Sequence, residues 1–289
     1  MSRAAEDPGF APAKVNLFLH VGPLGADGYH PVSTLMAFAD IGDRLSAGAH
    51  EAGLKLSVIG PFAQELTEGD NLVLRAARLL DAGGAAALML DKQLPVASGL
   101  GGGSSDAAAA LRLLNAGWGL GFHSGVLETL AAQLGADVPA CLVAQAVIGE
   151  GRGERLRPAP ALPELNAVLV NPLVPVSTAE VFAAYDRAAP PDADAEPPYL
   201  PDAFESVEEA AAVLAYCRND LEGAAISVQP VIGDLLADLR AEPETLLARM
   251  SGSGATCFAL CADDIAAETL AERLEALRPD WWVRRCVLS

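Results

Sequence analysis

The stretch PVASGLGGGSSDAAAALRLLNAG, Pro95 to Gly117, decides how the rest of the chain is read. Gly99, Gly101, Gly102 and Gly103 carry no Cβ, so the backbone there can approach a ligand closely and aim N–H groups at it. Ala107 to Leu114 continues as a helix. A helix start adds unpaired amides and the positive end of the helix dipole, a combination that favours phosphate. Ser104 and Ser105 offer hydroxyls to a phosphate or to a magnesium ion. A flexible loop with an ordinary Ser/Asp cap is the plain alternative. Glycine this dense, set directly against a helix start, favours the anion site.

Two other phosphate motifs do not fit. A P-loop requires a Gly-Lys dipeptide, which this chain lacks. A dinucleotide fingerprint requires glycine where Ser104 stands, and no strand ending in an acid follows the helix.

Upstream, Ala13 to Val21 alternates and reads as a strand, with Val15, Leu17, Leu19 and Val21 on one face and Lys14, Asn16, Phe18 and His20 on the other. Leu24 to Pro31 carries a turn signal around Asp27-Gly28-Tyr29-His30. Asp70 to Leu80 reads as a capped amphipathic helix and Ala86 to Leu90 as a short strand. Gly125 to Leu134 is a further helix. Gly149 to Gly153 reads as a hairpin turn rather than a second phosphate site. Prolines cluster over Arg157 to Pro163, so the expected division is 1–158 and 159–289. Beyond it come a strand at Ala167 to Val170 and a Pro-rich acidic loop near residues 188–198. Two helical stretches, the glycine loop Met250 to Thr256, a strand at Cys257 to Cys261 and a last helix and strand complete the chain. Helices and strands mix in both halves, so the class is α+β.

Composition sets limits. The 289 residues are 52% hydrophobic, enough for a sizeable core. The net charge of −19 disfavours nucleic acid and anionic lipid as partners. No apolar run is long enough to span a membrane, and Met1 to Gly9 lacks the basic start and apolar stretch of a secretory signal. A cytoplasmic protein is expected. The five cysteines are scattered without a C-x-x-C pair and the histidines number four, which gives little for disulfides or a metal cluster. There are only three lysines, Lys14, Lys55 and Lys92, so each merits inspection.

The glycine loop resembles the second motif of the GHMP kinases. Ala11 to Val21 (APAKVNLFLHV) resembles their first motif and Ser251 to Leu260 (SGSGATCFAL) their third, in the expected order. The resemblance implies a two-domain fold. Its N-terminal half is similar to ribosomal protein S5 domain 2, and its C-terminal half is a ferredoxin-like α/β sandwich. It also implies an ATP-dependent kinase with Mg²⁺. Lys14 and Asp137 match the family's catalytic pair. An aspartate can accept an alcohol's proton, and a lysine beside it can neutralise charge on the transferring phosphoryl group. Taken alone, Lys14 reads as an edge-strand solubiliser and Asp137 as a turn residue after a helix. ATP is implied at Pro95, Val96, Ala97, Ser98, Gly99, Leu100, Gly101, Gly102, Gly103, Ser104 and Ser105, with Asn71 near the adenine.

DGYH at Asp27 to His30, the triple-glycine form GLGGGSSDAA and GADVP at Gly135 to Pro139 narrow the resemblance to one branch. There the substrate is a cytidine diphosphate-linked methylerythritol, phosphorylated on its 2-hydroxyl in the non-mevalonate isoprenoid pathway. Asn16, Tyr29, His30 and Phe182 match its substrate-binding positions. Without the resemblance, Tyr29 and His30 would be a surface turn and Phe182 a core residue of a helix. The rivals are a kinase of the same fold acting on another alcohol, such as homoserine, and a non-catalytic nucleotide sensor.

Overall fold

The computed structural model describes residues 7–66, 71–81, 83–188, 194–196 and 199–289. The acidic loop expected over 188–198 therefore lies outside the described residues, apart from Ala188 and 194–196. The chain divides into two compact units. One gathers the chain up to Lys14, Asp40–Val96 and Gly101–Gln145. The other gathers Val15–Ala39, Ala97–Leu100 and Ala146–Ser289.

Strand β1 (Phe10–Val21) carries the alternating segment, and all twelve of its residues are buried. The polar face that alternation predicts is thus covered as well: Lys14 and Asn16 are each 4% exposed and His20 is 0% exposed. Buried polar groups cost free energy unless they are paired, so each of these side chains is held by a specific partner. For His20 the partners are backbone groups. Its Nδ1–H donates to the Glu196 carbonyl at 2.9 Å and its Nε2 accepts from the Arg218 amide at 3.0 Å. That pairing fixes a neutral tautomer, in keeping with a pKa lowered by burial.

In the first unit, β2 (Val32–Gly48) pairs antiparallel with β4 (Ala86–Asp91), from Arg44↔Asp91 to Gly48↔Ala87, and β3 (Leu54–Ile59) lies parallel to β4. Helix α1 (Leu72–Leu80) buries Val73, Ala76, Ala77 and Leu80, a one-sided stripe at helical spacing. Helix α2 (Gly102–Gly117) differs. Its residues from Ser105 to Leu111 are buried all round, and the small side chains of Ala107 to Ala110 let neighbours approach closely. Helices α3 (Ser124–Leu134) and α4 (Val138–Val143) follow, with α1 and α4 packed on α2.

In the second unit, β5 (Val147–Gly151) and β6 (Arg155–Pro158) form the expected hairpin. Strands β7 (Leu165–Asn171), β8 (Thr245–Met250), β9 (Cys257–Cys261) and β10 (Trp282–Leu288) form an antiparallel sheet in the order β10-β7-β9-β8. With helices between β7 and β8 and between β9 and β10, this is the strand order of a ferredoxin-like α/β sandwich. Among the described residues three helices, not two, precede β8 and follow α5 (Thr178–Ala188): α6 (Val207–Leu214), α7 (Glu222–Val228) and α8 (Val231–Ala241). Pro230 at the cap of α8 cannot continue α7, which accounts for the additional break. Helix α9 (Asp264–Leu277) covers the sheet. No helix among the described residues is long and apolar enough to cross a membrane.

Candidate active site

Helix α2 organises the first unit's polar centre. Its cap, Gly101, sits in the left-handed region at φ 64°, and the Ser105 amide makes the first intrahelical bond, to the Gly101 carbonyl. The amides of Gly102, Gly103 and Ser104 therefore precede that bond, the arrangement that receives anions. The Ser105 hydroxyl is turned inward, fully buried, and donates to the Pro12 carbonyl at 2.6 Å. Ser104 is the half-exposed hydroxyl of the pair.

Two residues after Pro12, Lys14 extends along Gly101. A Cβ at Gly101 would stand 2.9 Å from the Lys14 Cε, so only glycine lets the lysine lie there undisturbed. The Lys14 ammonium reaches the Asp137 carboxylate at 3.2 Å. Asp137 stands at the start of α4 but its side chain does not cap that helix, and it is 40% exposed while Lys14 is buried. Both partners are tied to α2. Arg112 donates to the Phe10 carbonyl on β1 at 2.6 Å and to the Cys141 carbonyl on α4 at 3.0 Å. Burial lowers the pKa of Arg112 to about 10 and pushes the Cys141 thiol up to about 12.

A buried charge cluster lies below the helix start. Lys92 donates to Asp43 and, at 2.8 Å, to Asp106 in the first turns of α2. Asp43 also accepts the Gln93 and Leu94 amides at 2.6 and 2.8 Å, fixing the chain as it leaves β4 for the glycine loop. A Cβ at Gly102 would come within 3.0 Å of the Lys92 ammonium. Burial works against the charge of Lys92, but its two carboxylates more than offset this and raise its pKa. Burial outweighs the pull of Lys92 on Asp106, whose pKa rises to about 7. The triad was not singled out in the sequence. Its one signal was a rare lysine directly ahead of the loop.

Asn71 caps α1, its Oδ1 accepting the Val73 amide at 2.8 Å. The next residue, Leu72, would lie 3.7 Å from a Cβ at Gly103, which sets the start of α1 beside the start of α2. Pro95 and Val96 complete this unit's share of the loop.

The second unit holds the other share, Ala97, Ser98, Gly99 and Leu100, against the third motif. The Thr256 amide donates to the Ser98 carbonyl at 3.0 Å and the Ser251 hydroxyl to the Gly99 carbonyl at 3.0 Å. A Cβ at Gly99 (φ 78°) would fall 2.3 Å from the Ser251 carbonyl oxygen. The Asn16 amide donates to the Ser251 hydroxyl at 3.1 Å, and its side chain donates to Thr34 at 2.7 Å. Asn219, which the sequence did not flag, donates to the Met250 and Gly252 carbonyls at 2.7 and 2.8 Å and sets the shape of the third motif.

His30, Phe182 and Tyr29 also belong to this unit. His30 stacks on Phe182 with ring centroids 5.5 Å apart at 27°. Its Nδ1–H donates to the Gly22 carbonyl at 2.8 Å and its Nε2 faces Asp186 at 2.9 Å. The Gly22 bond and the nearby Asp186 carboxylate, to which Nε2 makes no hydrogen bond, fix the ring, so the imidazole buttresses Phe182. Tyr29 is 53% exposed. Among the described residues, no group of three His, Cys, Asp or Glu side chains is arranged to hold a metal ion.

Comparison with known proteins agrees with this arrangement. The GHMP kinases N terminal domain matches residues 71–145 and the GHMP kinases C terminal domain matches residues 202–279. A 4-diphosphocytidyl-2-C-methyl-D-erythritol kinase of Caulobacter vibrioides is 59% identical over 97% of this chain and 98% of its own length. The crystal structure of a 4-(cytidine 5'-diphospho)-2C-methyl-D-erythritol kinase superposes with a TM-score of 0.79 at 36% identity, covering 97% of this chain and 98% of that one. A homoserine kinase from Cytophaga hutchinsonii shares the fold, with a TM-score of 0.70 at 19% identity over 97% of this chain and 93% of its own. The chain belongs to the GHMP kinase family, in its branch of 4-diphosphocytidyl-2-C-methyl-D-erythritol kinases.

Proposed function

We propose that this kinase moves the γ-phosphate of ATP onto the 2-hydroxyl of 4-diphosphocytidyl-2-C-methyl-D-erythritol, in the non-mevalonate route to isoprenoids in the cytoplasm. The observation that carries the reading is the ion pair of Lys14 and Asp137, 3.2 Å apart, with Lys14 laid along the left-handed cap of the glycine helix.

Phosphoryl transfer asks chiefly for positioning and charge stabilisation. The amides of Gly102, Gly103 and Ser104 hold phosphate oxygens, with Asn71 close to the adenine. Asp137, half-exposed, takes the proton of the attacking hydroxyl, and Lys14 offsets the charge that builds on the transferred group. Asn16, Tyr29 and Phe182 hold the cytidine-bearing alcohol, with His30 fixing the ring of Phe182. Mg²⁺ in kinases is held largely by phosphates with one or two protein ligands. The half-exposed Ser104 hydroxyl suits that part, whereas the Ser105 hydroxyl is committed to Pro12. The ion supplies further neutralisation of the phosphates.

The test is to incubate the protein with Mg·ATP and either the cytidine substrate or homoserine, following ADP. ADP release with the first alcohol alone is expected. Release with homoserine alone would overturn the substrate, and release with neither would overturn the kinase reading.

A further inference from the structure

We infer that Arg152 is a positioning residue that holds Tyr29 as a platform for the substrate's base. The inference rests on the assignment of Tyr29 to the cytidine end. Arg152 stands at the tip of the β5–β6 hairpin between Gly151 (φ 73°) and Gly153 (φ 110°), and its amide donates to Glu154 Oε2 at 2.7 Å. The pinned backbone sends the guanidinium over the Tyr29 ring, its Cζ 4.0 Å from the centroid. Asp27 links the two residues. One of its oxygens accepts the Tyr29 amide at 3.1 Å, and the other lies 3.9 Å from an Arg152 terminal nitrogen.

The turn below is closed as well, by the Gly25 amide on the Tyr29 carbonyl at 2.8 Å. An aromatic ring this exposed has rotamer freedom to lose when a base stacks on it. A flat cation against one face removes that freedom beforehand and leaves the opposite face for stacking, which lowers the cost of binding. Tyr29, His30 and Arg152 line the same cavity of about 360 Å³, within the size range of small-molecule sites. A lysine would supply the charge without the flat surface.

The experiment compares Arg152→Ala, Arg152→Lys, Tyr29→Ala and the double Ala variant by steady-state kinetics with 4-diphosphocytidyl-2-C-methyl-D-erythritol and ATP. Arg152→Ala should raise KM for the cytidine substrate about two- to five-fold, the change to which an exposed cation–π contact of about 0.5–1 kcal/mol converts. Its kcat and its KM for ATP should hold. Arg152→Lys should recover part of the loss, and the double variant should match Tyr29→Ala. An unchanged KM in Arg152→Ala beside a raised KM in Tyr29→Ala overturns the inference and leaves the Tyr29 assignment standing. So does a double variant in which the two losses add. An unchanged KM in Tyr29→Ala removes the assignment itself, and the inference with it.

Discussion

Replacing Gly101 with alanine perturbs the candidate centre through one methyl group. Two costs can be separated. The first is backbone: Gly101 lies at φ 64°, where an L side chain costs about 1–2 kcal/mol. The second is contact: the new Cβ would stand 2.9 Å from Lys14 Cε and 3.3 Å from Lys14 Cβ. Carbon atoms prefer about 3.5–4.0 Å, so the lysine must retreat by roughly half an ångström or more. Its ammonium begins 3.2 Å from Asp137 and would leave hydrogen-bond range. A misplacement of about 1 Å can cost on the order of 10²-fold in rate, and a fall in kcat of that size is expected. Gly119 supplies the control. It shares the left-handed backbone, at φ 66°, but a Cβ there meets nothing within 4 Å. Gly119→Ala should lose comparable thermal stability and keep kcat. Coupled ADP-release kinetics and thermal melts on both variants make the comparison. A Gly101→Ala enzyme with a kcat close to that of Gly119→Ala would refute the idea that the loop glycine sets the lysine.

Asp137→Asn should lower kcat by about 10²–10⁴-fold with substrate binding largely kept, and Lys14→Met should do comparable damage. Rapid-quench kinetics on the double variant should show it little worse than either single one, since groups acting as a unit are non-additive. Phe182→Ala should weaken the cytidine substrate by about 1–3 kcal/mol of lost stacking, while calorimetric titration of an ATP analogue should barely move. Lys92→Met leaves Asp43 and Asp106 buried without their cation and should cost about 3–5 kcal/mol in urea unfolding. Asp106 also makes stability depend on pH. Its folded pKa of about 7 lies above the ordinary 3.8, so its contribution is fully present below about pH 4 and lost as pH rises through about 7. Asp106→Asn removes that dependence. The melting temperature of the variant relative to the parent should therefore rise from pH 5 to pH 8, and a difference that stays flat would refute the assignment.

The elements that local pattern controls were legible. The glycine loop running into a helix, the β1 alternation, the strand at Cys257 to Cys261 and the turn at Gly149 to Gly153 all depend on near neighbours. Long-range pairing was not legible. Lys92 meets Asp43 from 49 residues away, and nothing local says that β2, β4 and α2 converge there. The same holds for Arg112, which spans to Phe10 and Cys141, and for Asn219, which reaches from the chain just before α7 to the third motif. The resemblance put His30 among the expected substrate-binding positions but could not show that its Nδ1–H is held by Gly22 or that Asp186 lies beside its Nε2. The first motif's polar face was expected from period 2, yet its near-complete burial depends on cover from other elements.

The bonds from α2 to β1 and α4 have a consequence for how the protein fails. Ser105 and Arg112 lash the strand of Lys14 and the helix of Asp137 to one buried rod. A helix so enclosed belongs to the part of a domain that opens last, with amides that exchange only on cooperative unfolding. Under gentle heating or dilute denaturant, the Lys14–Asp137 ion pair should persist while exposed turns such as that of Tyr29 already fray. On the proposed roles of Tyr29 and of the Lys14–Asp137 pair, such a partly loosened enzyme would lose its grip on substrate before it lost its capacity to transfer phosphate.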